Sequence, residues 1–292
     1  MTSLKRILVA TDFSPLGNGA VRRAAWLATR EDGELLIVHA MPRLSALQGA
    51  FGEDDSLQLP VRLRAAADAN LATLVQQATQ AGVRRVRGEI VEGSAHRAVA
   101  EMADTFAPEL LVIGAHSKDR VQQFFLGGTA SRILGHAACP VLVVRRQPET
   151  DYRQVMAAVD LGPRSSAVLR TCVVVAGPAR ITAVHAYKAP FEAELRHAEF
   201  PEKDIAPHME REREAAQTNM QALLSGAELA GLDLSSRIAH GHPNPVLPEA
   251  ASSLGADLIV AGRHGGSHLE EAVMGSITKF LVYYAPCDVL VV

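Results

Sequence analysis

The feature that most limits the folds open to this chain is an internal repeat. The segment ending at Val144 and the segment ending at Val292 share the same order of apolar runs and glycines, at an offset of 148 residues. The same offset relates further pairs: Asp12 and Asp160, Gly93 and Gly241, Gly114 and Gly262, Gly127 and Gly275, Cys139 and Cys287. Self-similarity over a whole half predicts two copies of one structural unit.

The two copies meet at a polar stretch with a proline, Arg145 to Asp151, whose composition suits a short linker. We therefore expect a first domain over residues 1–147 and a second over residues 148–292. Each domain has the size of an ordinary folding unit.

Within each copy, short apolar runs typical of strands alternate with longer amphipathic stretches typical of helices. The runs of the first copy are RILVAT, LLIVHA, VRGEIV, LLVIG and PVLVV, and those of the second are VMAAVD, ITAVHA, SSRIAH, DLIVAG and DVLVV. This alternation predicts an α/β fold with two repeated doubly wound domains. Each is a five-stranded parallel sheet in the order 3-2-1-4-5, with helices on both faces and right-handed crossovers.

Composition excludes several classes of protein. The net charge of −3 gives no basic field for nucleic acid, and we expect RRVRGE, residues 84–89, to be a strand with a solvated face. The N-terminal residues lack a signal-peptide pattern, and no window holds 18 uninterrupted apolar residues, so we expect a soluble cytoplasmic protein without a membrane segment. Three cysteines without a CxxC pair indicate reduced thiols.

In a doubly wound sheet, ligands bind at the carboxyl ends of the strands where the strand order reverses. The order 3-2-1-4-5 puts that point between the first and fourth strands. These strands end at Asp12 and Gly114 in the first copy, and at Asp160 and Gly262 in the second. We therefore expect one crevice in each domain.

The second crevice has features that suit a phosphate chain. Gly262 and Gly265 allow close approach of the backbone, and Gly275 and Ser276 open a helix whose free N–H groups favour an anion. Asp160 can accept hydrogen bonds from a ribose hydroxyl or a base amine. The alternative interpretation is a tight turn followed by a serine that caps a helix.

The pattern Gly-x2-Gly-x9-Gly-Ser after the fourth strand resembles that of the universal stress proteins, and the resemblance covers both halves. It implies a tandem member that binds ATP, with Mg as a possible companion, and that forms dimers as many members do. The resemblance places these residues at the ATP: Asp160 and Val184 near adenine or ribose, and Gly262, Gly265, Gly275 and Ser276 at the phosphates.

The first copy departs from the family pattern. Ser117 stands where the second glycine belongs, and Gly128 replaces the hydroxyl residue. A side chain at 117 would crowd the phosphates or strain the backbone, by about 1 kcal/mol or more where φ is positive. We therefore expect the first domain to bind a ligand more weakly than the second. Its candidate ligand residues are Asp12, Val38, Gly114, Gly127, Gly128 and Thr129.

Other reactive residues have simpler interpretations. His116 and His264 share a loop position, and we include His264 in the ATP ligand set as a phosphate contact rather than as a catalytic residue. HGHPNP, residues 240–245, resembles a pair of metal ligands but is explained by a turn. Ser165 and Ser166 have no histidine and acid placed to activate them. We therefore expect no metal site and no catalytic residue.

The last strand of each copy, CPVLVV and CDVLVV, is apolar and falls at the predicted sheet edge, where it needs a partner. We expect the two domains to pair through these strands, and a homodimer is a further possibility. The leading hypothesis is a stress-response protein that binds ATP mainly in its second domain, so that occupancy regulates conformation or partners, with weak ATP hydrolysis at most. The alternative is a scaffold without nucleotide, or a tandem protein that encloses an apolar ligand.

Overall fold

Short apolar runs in each half fold as parallel strands connected by helices. The computed structural model describes residues 3–43, 58–115, 126–148, 150–226, 229, 232–263 and 274–292. The chain divides into two units, Met1–Asp151 and Tyr152–Val292. Each unit is described by itself below.

The first unit alternates strands and helices along its described residues. Its elements are β1 (Arg6–Ala10), α1 (Pro15–Glu31), β2 (Glu34–Met41), α2 (Gln58–Gln80), β3 (Arg85–Glu92), α3 (Ala95–Phe106), β4 (Leu110–Gly114), α4 (Gly128–His136) and β5 (Val141–Val144). The strands pair in parallel in the order β3-β2-β1-β4-β5. The predicted order 3-2-1-4-5 is confirmed.

The second unit repeats this arrangement with an added helix. Its elements are β6 (Gln154–Ala158), α5 (Ser165–Ala176), β7 (Arg180–Tyr187), α6 (Glu192–His197), α7 (Glu202–Leu224), β8 (Leu234–His240), α8 (Pro243–Leu254), β9 (Leu258–Ala261), α9 (Ser276–Tyr284) and β10 (Asp288–Val291). The parallel order is β8-β7-β6-β9-β10. The doubly wound α/β fold is therefore present in both halves.

The central strands are buried on both faces, as continuous Val, Ile and Leu runs require when helices cover a sheet. Ile7, Leu8 and Val9 of β1 are fully buried, and all residues of β9 are buried. The pairing register aligns Ala158 at the end of β6 with Val184 of β7 and with Ala261 at the end of β9. The carboxyl ends of β6 and β9 therefore lie side by side.

The start of α1 has a well-defined cap. Ser14 accepts a 3.0 Å hydrogen bond from the N–H of Gly17 through its side chain, and Pro15 occupies the first turn, where its missing N–H costs nothing. Phe13, just before the cap, has a φ of 59°, and Leu161 at the corresponding place of the second unit has a φ of 61°. Both first strands thus end in the same sharp bend.

The mixed polar and apolar composition of residues 187–207, at the end of β7 and beyond it, predicts a surface loop or a mobile lid. Instead this segment contains the short helix α6, and α7 begins at Glu202 within it. Arg196 bridges the two helices through Glu192 and Glu202. Local ion pairs therefore order this segment, while most of its counterpart in the first unit lies outside the described residues.

Candidate functional site

Each unit contains a cavity at the carboxyl ends of its first and fourth strands, where the strand order reverses. The second-unit cavity has a volume of about 320 Å³, and the first-unit cavity has a volume of about 190 Å³. Binding sites for small molecules generally measure about 300–1,000 Å³. The second cavity falls within that range and the first falls below it.

The second cavity gathers most of the residues predicted for it. Asp160 follows β6, Gly262 follows β9, and Gly275 and Ser276 begin α9, and all four line the cavity. Val184 does not appear in its lining and is fully buried in β7. The next two residues of that strand, His185 and Ala186, line the cavity instead.

Asp160 is held by the start of α5. Its Oδ1 accepts a 2.9 Å hydrogen bond from the N–H of Gly162 and a second, also 2.9 Å, from the hydroxyl of Ser165. Ser165 is buried whereas Asp160 is exposed. Because both bonds go to Oδ1, the carboxylate is oriented and Oδ2 retains the capacity to accept from a ligand.

The start of α9 forms the opposite side of the cavity. Gly275 is the N-cap residue, with φ −56° and ψ 148°, and it makes no side-chain cap bond. Its N–H donates to the Arg263 carbonyl at 2.8 Å, and Thr278 donates its hydroxyl to the Gly262 carbonyl at 2.6 Å. These bonds fix the helix start against the end of β9, with the first N–H groups of α9 at the cavity, where they can bind an anion.

His185 is a site residue that sequence reasoning missed. Its Nδ1 lies 2.9 Å from the carbonyl oxygen of Val159, and the residue lines the cavity. The signal was present, because the tripeptide VHA ends the second strand of both copies at residues 38–40 and 184–186. A repeated polar residue in a buried strand indicates a specific hydrogen bond.

The first cavity contains its predicted ligand set. Its lining includes Asp12, Val38, Gly114, Gly127, Gly128 and Thr129. Oδ1 of Asp12 accepts a 2.9 Å bond from the N–H of Ser14, as Asp160 does from Gly162. However, Gly17 stands where the second unit has Ser165, so the second bond to the carboxylate is missing among the described residues.

His39 of the first unit is covered by an aromatic ring. Phe13 stacks on it with ring centroids 4.1 Å apart and an interplanar angle of 28°. His39 also has its Nδ1 2.9 Å from the carbonyl oxygen of Thr11, which matches the bond of His185. The lining of the first cavity does not include His39.

Gly114 has a packing role that does not depend on a ligand. A β-carbon added there would lie 3.1 Å from backbone atoms of Leu16 and Gly17 at the start of α1. A β-carbon at Gly128 would meet nothing within 4 Å. The glycine that ends β4 therefore lets α1 approach the sheet, a packing role that the sequence interpretations, ligand contact or tight turn, do not include.

The residues between the fourth strand and the following helix are described only in part. His116 and Ser117 of the first copy, and His264 and Gly265 of the second, lie outside the described residues. The assignments of His264 and Gly265 as phosphate contacts, and the expected crowding at Ser117, stay predictions.

The remaining reactive residues have structural roles. His240 pairs with Glu192 at 2.7 Å, and the His242 side chain accepts a 3.2 Å bond from the N–H of Asn244 at the start of α8. Among the described residues, no group of three or more His, Cys, Asp or Glu side chains could hold a metal. Burial raises the pKa of Cys172 to about 12, so this thiol is protonated near neutral pH.

No helix in the described ranges is long and apolar enough to cross a membrane.

Fold and cavities together define the class of protein: a tandem doubly wound α/β protein with a crevice at each point where the strand order reverses. The model of the Universal stress protein family matches residues 3–145 and 151–292. The chain therefore belongs to the universal stress protein family, with one family domain in each half.

Related proteins agree with this assignment. Universal stress protein A homolog 2 of Coxiella burnetii is 27% identical over 146 residues, which cover 50% of this chain and 97% of the relative. A putative universal stress protein of Staphylococcus aureus (strain USA300) is 29% identical over 163 residues, 55% of this chain and 96% of the relative. Both relatives match about half of the tandem chain.

Two solved structures share the fold over nearly the whole length. A putative universal stress protein from Pseudomonas aeruginosa UCBPP-PA14 has a TM-score of 0.68 at 19% identity, covering 100% of this chain and 94% of that one. A universal stress protein from Archaeoglobus fulgidus has a TM-score of 0.67 at 15% identity, covering 98% and 97%. At these identities the similarity establishes the fold alone.

Proposed function

We propose that the protein binds ATP in its second domain, in the cytoplasm and as part of a stress response, and that nucleotide occupancy alters its conformation or its partners. The observation that carries the proposal is the second cavity. It joins an oriented carboxylate, Asp160, to the N-terminus of α9 within about 320 Å³.

The two sides of this cavity suit the two ends of a nucleotide. Gly275 and Ser276 offer backbone N–H groups and a hydroxyl, which bind phosphate oxygens. Across β6, the carboxyl end of β7 contributes Ala186, and Leu247 of α8 adds apolar surface, which suits a flat base. Asp160 lies at the end of β6, between the base side and the phosphate side of the cavity. A ribose would occupy this place, because it connects the base to the phosphates.

Mg would have to enter with the nucleotide. The described residues contain no cluster of acidic and imidazole groups that could hold the metal alone. Magnesium commonly binds through substrate phosphates, one or two carboxylates and water. Asp160 is the carboxylate of the cavity that could contribute.

Native mass spectrometry with and without ATP and Mg tests the proposal. One nucleotide per chain is expected for the wild type, and Asp160→Ala is expected to lose it. Asp12→Ala, the matched change in the first domain, is expected to keep it. Gly265→Val is expected to abolish binding, because a side chain there would block the approach of backbone to phosphate. Retention of ATP by both Asp160→Ala and Gly265→Val would contradict this placement.

The first domain favours the alternative function. Its cavity measures about 190 Å³, and it has Gly128 in place of a hydroxyl residue at the start of α4. A domain of this kind fits a scaffold, or a site for a small apolar ligand. Zero bound nucleotides per chain in the same experiment would support that alternative for the whole protein.

The proposed pairing of the two domains rests on the apolar sequence of their last strands and on the position of these strands in the sheet order. β5 and β10 are the last strands in their respective orders, and both are apolar. Edge strands of this kind need a partner, so we propose that the two domains pair through them. The resemblance to dimeric family members, rather than these edges, supports our further proposal of a homodimer. The mass of the intact assembly tests the dimer, and a Lys substitution at Val143 is expected to disrupt the pairing.

A further inference from the structure

The histidine near the end of the second strand is fixed by the same backbone bond in both domains. Nδ1 of His185 lies 2.9 Å from the Val159 carbonyl oxygen, and Nδ1 of His39 lies 2.9 Å from that of Thr11. A carbonyl oxygen only accepts, so Nδ1 must carry the proton. In the neutral ring, Nε2 is then an acceptor and not a donor.

What differs between the domains is the access to this acceptor. His185 lines the second cavity, and no described residue makes a hydrogen bond to its Nε2. In the first domain the ring of Phe13 covers His39. Leu161 has the backbone conformation of Phe13 but no aromatic ring to stack on the histidine. The stacked ring of Phe13 is therefore the difference that the described contacts show around the two histidines.

The position of His185 matches the base end of the proposed site. β6 separates β7 from β9 in the sheet, so His185 lies across β6 from Gly262 and the start of α9, where phosphates would bind. Pro243 and Leu247 of α8 line the cavity too, and they provide apolar surface for a planar ring. An acceptor in apolar surroundings discriminates strongly between ligands that donate to it and ligands that do not.

We propose that His185 is a specificity-determining residue that accepts a hydrogen bond from the 6-amino group of a purine base through Nε2. The inference rests on the proposed ATP site and names the base that the site selects. A purine without that amino group leaves Nε2 without a donor, and a 6-oxo purine places an acceptor against an acceptor. Both should bind more weakly than ATP.

The test compares ATP with purine riboside triphosphate, which has hydrogen in place of the 6-amino group, and with inosine triphosphate. Calorimetric titration of the wild type should show ATP binding about five- to tenfold more tightly than either analogue, as expected for one net hydrogen bond. His185→Asn keeps a donor for the Val159 carbonyl but does not reach the Nε2 position. It should weaken ATP alone, so that the three ligands bind equally.

Two further variants sharpen the test. His185→Gln keeps an amide oxygen near the Nε2 position and should retain part of the preference for ATP. His39→Asn makes the matched change in the first domain, where Phe13 covers the ring, and should leave all three affinities unchanged.

Four results would overturn the inference. In the wild type, the contrary result is equal affinity for ATP and both analogues. In His185→Asn, it is an equal loss of affinity for all three ligands. In His185→Gln it is complete loss of the preference for ATP, and in His39→Asn it is any change in that preference. If His185→Asn does not fold, the wild type and His185→Gln still decide. Binding of none of the three ligands by the wild type is a different failure, because it removes the proposed ATP site itself and this inference with it.

Discussion

The hydroxyl of Ser165 donates a 2.9 Å hydrogen bond to Oδ1 of Asp160. The first domain has Gly17 at the corresponding position, where an added β-carbon would lie 2.5 Å from Oδ1 of Asp12. The helix start therefore contacts the aspartate in two different ways. In the second domain a side chain holds the carboxylate, and in the first domain the backbone comes too close to leave room for one.

Ser165→Ala should weaken ATP binding about fivefold, because it removes one hydrogen bond that orients Asp160, worth about 1 kcal/mol. Calorimetric titration measures this loss. The fold should be little affected, since Asp160 is exposed and water can replace the hydroxyl. An unchanged affinity would show that Asp160 needs no support from α5.

Gly17→Ser makes the reciprocal change in the first domain. The 2.5 Å contact with Asp12 should force α1 to shift, at a cost of about 1–3 kcal/mol in the free energy of unfolding. Urea unfolding followed by circular dichroism measures this cost. A midpoint equal to that of the wild type would contradict the close packing seen here.

Gly114→Ala should destabilise the first domain by about 1–3 kcal/mol, because its β-carbon would lie 3.1 Å from the backbone of Leu16 and Gly17. Gly128→Ala is the control, since a β-carbon there meets nothing within 4 Å. The control should be neutral or slightly stabilising, by up to about 1 kcal/mol. Equal effects of the two changes in urea unfolding would refute a packing role for Gly114.

Thr278→Val should lower the free energy of unfolding by about 1–3 kcal/mol, because the Gly262 carbonyl loses the buried hydroxyl that donates to it at 2.6 Å. It should also weaken ATP binding, since this bond fixes the start of α9. Thr278→Ser keeps the hydroxyl and serves as the control. If both variants unfold at the same urea concentration, the hydrogen bond does not contribute as proposed.

The contact between Glu192 and His240 should make stability depend on pH. Burial raises the pKa of Glu192, but hydrogen bonds from His240 and Arg196 outweigh burial and lower it below its ordinary value of 4.5. A carboxyl group whose pKa is lower in the folded state stabilises the fold above its unfolded pKa. This contribution is lost as the pH falls through the folded pKa.

Glu192→Gln should therefore reduce stability at pH 7 and have a smaller effect at an acidic pH below the lowered folded pKa, where the wild-type carboxyl is protonated. Urea unfolding at the two pH values measures the difference. Glu194→Gln changes an exposed residue of the same helix and should have little effect at either pH. An equal loss for Glu192→Gln at both pH values would exclude an electrostatic origin.

The sequence could predict which residues lie together where a residue's position along a strand is enough. Asp160 follows β6 after Val159, and Gly262 comes directly after β9; parallel strands bring these carboxyl ends to one edge. For the second strand the resemblance points to Val184, and that assignment stays a prediction. Val184 is fully buried within β7, whereas the next two residues, His185 and Ala186, lie where the strand reaches the cavity.

The sequence by itself determined the two repeated units, the alternation of strands and helices within each, and the starts of the helices that follow the fourth strands. Those properties depend on the period of apolar residues and on the 148-residue offset, which are local or simply repeated along the chain. Tertiary structure alone decided that Phe13 covers His39 while His185 stays open to its cavity. The physical reason is that Phe13 and His39 are 26 residues apart in the sequence, so their stacking depends on how the tertiary structure orients the two side chains.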